Sequence, residues 1–158
     1  MKTLVVYDSF FGNTEKIAQA IGEGFGEKET TKVIKVDQIK PEMLNGINYL
    51  IIGSPTRAFS PTPAIKSFLK KLPAGSLAGV KVAAFDTRIP MGDNVPGFLK
   101  FMVKLFGYAD KPMMDLMLKK GGNKTLTTEG FFVADSEGPL VDGEIDRAQE
   151  WGKRIKTS

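Results

Sequence analysis

Neither cysteine nor histidine occurs among the 158 residues of this chain. Without cysteine there are no disulfides, no thiolate nucleophile and no cysteine-ligated metal. Without histidine there is no imidazole general base and no imidazole metal ligand. Chemistry is left to carboxylates, amines, hydroxyls, backbone groups or a bound cofactor. Apolar runs are short and none approaches the roughly 18 residues of a membrane span, so no span is expected. Met1-Lys2-Thr3 leads straight into a short strand pattern rather than a signal peptide, which makes a cytoplasmic location the expectation. The formal charge is +4, yet no Lys/Arg run exceeds two residues, and nucleic acid is not expected as a partner.

Present instead is an ordinary globular composition, 42% hydrophobic and 25% charged. The length suits a single domain over residues 1–158 that buries roughly 70% of its unfolded surface. Apolar runs and amphipathic stretches alternate along it. Leu4-Val5-Val6-Tyr7 reads as a buried strand, and Ile17, Ile21 and Phe25 mark a helix after it. Gly22-Glu23-Gly24-Phe25-Gly26 lies at the end of that helix and reads as its termination, not as a dinucleotide fingerprint, which requires a strand before it. Strand patterns recur at Thr31–Val36, Tyr49–Gly53 and Val80–Phe85. A fifth, at 124–127 and 130–133, is expected to be interrupted or bulged near Glu129-Gly130. Between them, Thr62-Pro63 caps a helix carrying Ile65, Phe68, Leu69 and Leu72. Pro112 and Gly121-Gly122 bracket another, and a last helix begins near Asp142 and is expected to bury Ile145, Ala148, Trp151 and Ile155.

Five strands alternating with helices imply a doubly wound parallel sheet of the α/β class, with helices on both faces. In such sheets a ligand lies at the carboxyl ends of the strands. A phosphoacceptor receiver domain has the same pattern but needs an Asp at the end of strand three, where Gly53-Ser54 stands. A nucleotide-hydrolysing P-loop needs GxxxxGK[ST], which does not occur.

The first strand-to-helix turn, Tyr7 to Lys16, is rich in hydroxyls and amides. Backbone N–H groups at the positive end of a helix dipole form a ready phosphate site. Ser9 and Thr14 add hydroxyls, Asn13 an amide, and Gly12 lets the backbone approach a ligand. The segment Ser9-Phe10-Phe11-Gly12-Asn13-Thr14-Glu15 resembles the phosphate loop of flavodoxins, with Phe11 where many members carry Thr. The resemblance implies a five-stranded sheet of order 2-1-3-4-5 and flavin mononucleotide (FMN) as cofactor. It implies that Pro55, Thr56, Arg57, Ala58 and Phe59 pack on one face of the flavin ring. Pro55-Thr56-Arg57 also resembles the matching loop of flavodoxin-like quinone reductases. Asp86, Thr87, Arg88, Ile89 and Met91 should cover the ring's edge, chiefly through the backbone of Thr87, Arg88 and Ile89, with Asp93 as a further acid in that loop. The aromatic pair that usually sandwiches the ring is missing from these loops. Ala58 stands where many members carry Gly, and its Cβ should resist a positive φ.

The segment 96–108 reads as a helix apolar nearly all round, with only Lys100 and Lys104 as a polar stripe. Core packing is the expected role; a self-association surface or a hydrophobic substrate pocket, with Met113, Met114 and Met117 nearby, is the alternative. Three functions fit: an FMN electron carrier between redox proteins, with acidic partners matching the arginines of the second and third loops; an FMN-dependent NAD(P)H:quinone reductase; or a flavin-free binding module. The first is the expectation, with no catalytic residue and no metal.

Overall fold

The computed structural model describes residues 1–92 and 95–158. Asp93, expected as an acid of the third loop, lies outside the described residues. The central strand β1 spans Thr3–Tyr7 and pairs in parallel with β2 (Thr31–Lys35) on one side and β3 (Tyr49–Pro55) on the other. Next to β3 lies β4, Lys81–Arg88. The fifth position is shared by two short pieces, β5 (Asn123–Lys124) and β6 (Glu129–Phe132), which pair in parallel with the start and the end of β4. The order is therefore 2-1-3-4-5 with a split last strand. The break falls at 125–128, just before the Glu129-Gly130 position that the sequence pattern suggests.

Side chains alternate across the sheet with the period of two that a pleated strand imposes. Leu4 and Val6 of β1 join Leu50, Ile52, Val82 and Ala84 on one face. That face is covered by α2 (Pro63–Lys71) and α4 (Asp110–Lys119), through Ile65, Leu69, Met113, Met114 and Met117. The three methionines are thus core residues. Val5 and Tyr7 point the other way, with Ile51, Ala83 and Phe85. They meet α1 (Asn13–Phe25) and α5 (Glu144–Thr157). In α5, Ala148, Trp151 and Ile155 are buried as the spacing predicts, but Ile145 faces solvent.

The glycines of α1 do more than end it. Gly26 is the left-handed C-cap, at φ 70°. Gly24 lies inside the helix, where a Cβ would come within 2.2 Å of the Gln149 carbonyl oxygen of α5. Gly152 of α5 returns the relation, with a Cβ 2.4 Å from the Ile21 carbonyl oxygen of α1. The two backbones pack directly on each other, and only hydrogen fits between them.

The helix α3 spans Gly97–Phe106 and none of its residues is buried. Core packing, the role expected of so apolar a helix, is not its role. Tyr108, assigned by its pattern to the same helix, lies beyond the C-cap Gly107, where the chain turns toward α4.

Candidate functional site

The loops after β1, β3 and β4 meet at the carboxyl ends of the sheet, because parallel strands with right-handed crossovers bring those ends to one edge. In the first loop, Ser9 N–H donates to Asp8 Oδ1 (2.9 Å) and Gly12 N–H donates to Ser9 Oγ (3.0 Å). Gly12, at φ 88°, is the N-cap of α1 and leaves the cap without a side-chain acceptor. The first backbone bond of the helix runs from Lys16 N–H to the Gly12 carbonyl (3.1 Å). The N–H groups of Asn13, Thr14 and Glu15 precede it and point out of the helix end, where the dipole is positive. Thr14 is buried, its hydroxyl 2.8 Å from that of Thr87. Asn13 is also buried and donates through Nδ2 to the Glu137 carbonyl (3.1 Å).

The second loop closes on itself. Arg57 and Ser60 exchange N–H to C=O bonds of 2.9 and 3.0 Å around Ala58 and Phe59. Both central residues are left-handed, at φ 48° and 65°. That is the geometry of a type I′ turn, which normally recruits Asn-Gly. Ala58 thus already holds the positive φ that its Cβ was expected to resist. Each such residue stores roughly 1 kcal/mol or more of strain, and strain of this kind gathers at binding sites. The Phe59 ring lies 5.9 Å from that of Phe106 in α3, and the Arg57 guanidinium reaches across to Phe10, 5.0 Å from its ring centre.

At the start of the third loop the side chains of Asp86, Thr87 and Arg88 turn away from solvent. Asp86 is wholly buried and accepts from Arg88 through Nε (2.6 Å) and Nη2 (2.7 Å), and from Asp110 N–H (3.1 Å). Arg88 also pairs with Asp110 (3.2 Å), whose carboxylate accepts from the Thr128 hydroxyl (2.6 Å). Its guanidinium is flanked by two flat surfaces. The Tyr108 ring centre is 3.6 Å from it, and the Gly130 backbone approaches so closely that a Cβ there would lie 2.3 Å from the guanidinium carbon. Burial pushes the Asp86 carboxyl up to about 6, and the bonds from Arg88 keep it from rising further. The one guanidinium is thus held by two carboxylates. The Thr87 and Arg88 carbonyls are already taken, by Thr56 N–H (3.0 Å) and Val133 N–H (2.9 Å). Ile89, the first residue past the strand, is exposed.

Between these loops lies a cleft of about 120 Å³. Of the residues singled out from the sequence, Ser9, Phe10, Phe11, Asn13, Thr14, Pro55, Thr56, Arg57, Thr87, Arg88 and Ile89 line it. Gly12, Ala58, Phe59, Asp86 and Met91 do not line it. Gly12 shapes the helix entry, Ala58 and Phe59 the turn, and Asp86 the clamp on Arg88. Val133 and Ser136, past β6, close the remaining side, and the sequence reading passed them over. The switch-point rule draws attention to loops nearer the middle of the sheet, and an end piece of a split strand carries no motif. The roles of Tyr108, Asp110 and Gly130 around Arg88 had no local signal either. A larger cavity of about 580 Å³ lies at the opposite, amino end of the strands, around Lys2, Thr30 and Lys40. It lies away from the carboxyl ends of the strands, and the helix start at its rim is that of the single 3-10 turn Pro41–Leu44. Among the described residues no cluster of carboxylates suited to a metal ion occurs, and no helix is long and apolar enough to cross a membrane.

Residues 5–87 match the family model described as Flavodoxin. The chain is 29% identical to a flavodoxin of Trichodesmium erythraeum, over 92% of its own length and 91% of that protein. Its fold resembles that of a flavodoxin from the domain Archaea, with a TM-score of 0.75 at 22% identity, covering 99% of this chain and 97% of the other. It resembles that of oxidised Flavodoxin 1 from Bacillus cereus to the same degree, with a TM-score of 0.76 at 18% identity, covering 99% and 98%.

Proposed function

Since the chain belongs to the flavodoxin family, we propose that it holds FMN non-covalently in the cleft beside α1 and carries electrons between redox proteins. The observation that supports this most directly is the open N-terminus of α1. The N–H groups of Asn13 and Thr14, without a side-chain cap, belong to residues that line the same cleft as the Ser9 and Thr14 hydroxyls. That donor set fits a phosphate ester and needs no lysine or arginine clamp.

The bound FMN supplies the redox chemistry at its ring. The chain supplies position and charge. The hydroxyl contact between Thr14 and Thr87 ties the phosphate end of the site to the end of β4. Phe10, Phe11, Pro55 and Ile89 give the cleft apolar walls. At about 120 Å³ the cleft is smaller than the roughly 300 Å³ or more of a typical ligand pocket. Its first and second loops are joined by the Arg57 guanidinium over the Phe10 ring. Arg88 brings no free charge to the ring, because Asp86 and Asp110 consume it. Arg57 is exposed and without a carboxylate partner among the described residues, so it is the cation left to favour a reduced, anionic ring and an acidic partner surface.

The test compares FMN with riboflavin, which lacks the phosphate, by quenching of flavin fluorescence. Thr14→Val should weaken FMN binding about ten-fold or more, the size of a hydrogen bond to a charged group, and leave riboflavin nearly unchanged. Equal losses for both flavins would remove the phosphate from Thr14. A protein that takes up neither flavin would end the reading.

A further inference from the structure

We propose that α3 is an in-plane anchor that seats this protein on an anionic lipid bilayer. Phe98, Phe101 and Leu105 recur at i, i+3 and i+7 and form one stripe, respectively 70%, 60% and 63% exposed. Leu99 and Phe106 are exposed beside it. Together they leave bare an apolar area on the order of 500 Å², at the upper end of what a monomer in water shows. Lys100 and Lys104, one turn apart, border the stripe and are exposed. From Val95 to Ala109 the sequence has no acidic residue, and α4 opens with Asp110, which pairs with Arg88, and Lys111, in a chain of net charge +4.

The chemistry of this helix selects its occupant. Apart from its two lysines, α3 has no side chain able to form a hydrogen bond. A protein interface of this size is nearly half polar and carries several hydrogen bonds, for which α3 offers only its two lysine side chains. A bilayer asks for none, because the backbone of a helix is satisfied internally. Ten residues make a rod about 15 Å long, half the thickness of the hydrocarbon core, so the helix lies along the surface and does not cross it. Aromatic and aliphatic side chains enter the headgroup boundary while the lysines reach the lipid phosphates. Phe106 packs on Phe59, so the anchor brings the turn at Arg57–Ser60 to the membrane surface.

The test is co-sedimentation of the whole protein with vesicles of phosphatidylcholine containing phosphatidylglycerol, against vesicles of pure phosphatidylcholine. The protein should pellet with the anionic vesicles and be released by high salt. Phe101→Ser with Leu105→Ser should lower the bound fraction at least ten-fold. Lys100→Gln with Lys104→Gln should lower binding to the anionic vesicles about five-fold per lysine, leaving pure phosphatidylcholine unaffected. These side chains are exposed, and an unchanged far-ultraviolet circular dichroism spectrum confirms that each variant folds. Equal binding to both vesicle types would overturn the proposal, as would no binding to either. So would a concentration-dependent dimer in sedimentation velocity that the serine variant abolishes, which would make a second copy the occupant.

Discussion

The helices α1 and α3 both carry an apolar stripe, both follow a loop at the carboxyl end of a strand, and they end in opposite environments. Eight residues of α1 are buried, and its backbone touches that of α5. No residue of α3 is buried. Glu15, Lys16, Gln19 and Glu23 give α1 a solvent face, which defines its buried face by contrast. The circumference of α3 lacks such a broad face, so its pattern says that something apolar covers it without saying what. A polar face is therefore as informative as an apolar one, and the glycines that permit backbone contact separate a core helix from an unpartnered one.

The sharpest way to break this comparison is to add one methyl group to α1. Gly24→Ala places a Cβ against the Gln149 carbonyl, backbone against backbone, and no rotamer relieves it. Urea denaturation should show a loss of about 3 kcal/mol, despite the higher helix propensity of Ala. A gain of stability would mean that the α1–α5 contact is looser than drawn. A gain is what propensity alone predicts, so the sign of the change decides.

The architecture and the first loop were legible in the sequence because both rest on local pattern. Strand and helix periods do not depend on distant residues, and Gly12, Asn13 and Thr14 stand where a strand pattern gives way to a helical one. The rest of the site is non-local. Arg88 looked like a cation for the cleft because Asp86 was assigned to the cleft as well and Asp110 lies 22 positions further on; only folding joins the three with Tyr108 and Gly130. The turn at Ala58-Phe59 breaks the residue preference of its own geometry, so local reasoning, which saw only the cost of a Cβ at positive φ, did not foresee it. Such a conflict is expected where the surrounding structure, and not the turn, sets the backbone.

The Asp86 clamp yields the next largest effect, and its sign is opposite to that of an ordinary ion pair. Burial raises the folded carboxyl to about 6 from its ordinary value of 3.8. Between those values the folded state binds the extra proton, so this group makes stability fall as pH rises through that window, by up to about 3 kcal/mol. Glu144 acts in the other direction. Burial is the largest influence on it and pushes upward, but Arg147 and the Phe132 N–H together hold it below its ordinary value. Its contribution is present above the unfolded value and lost as pH falls through the folded one. The measurement is therefore the difference between wild type and Asp86→Asn in urea midpoints from pH 4 to 7. The wild type should lose stability relative to the variant as pH rises from 4 to about 6, and the two should run parallel above that. Parallel curves throughout would place the Asp86 titration near the ordinary value.

Relief of the strained turn is smaller. Ala58→Gly removes a Cβ from a residue at φ 48° but adds freedom to the unfolded chain. The net gain in stability should be about 0.5–1 kcal/mol. A loss would mean that Ala58 adopts an ordinary negative φ in solution. Phe59 is a poor position for the same experiment, because its ring also meets Phe106.

The smallest effect carries the most information about α3. A large apolar residue in a core costs about 3–5 kcal/mol when truncated, through lost transfer energy and the cavity left behind. Phe98 is 70% exposed, so its side chain has little transfer energy to lose and no cavity to leave. Phe98→Ser should shift the unfolding free energy by no more than about 0.5 kcal/mol, with an unchanged dependence on denaturant. The matched substitution in the core, Phe25→Ser in α1, removes a ring that lies edge-on to Tyr49 at 5.4 Å and should cost several kcal/mol, about ten times as much. If Phe98→Ser instead costs more than about 2 kcal/mol at low protein concentration, α3 folds down onto its own chain in solution. If that cost appears only as concentration rises, a second copy covers the stripe. If it appears in neither case, the apolar face of α3 contributes nothing to holding the fold together, and its sequence answers to whatever the helix touches outside the chain.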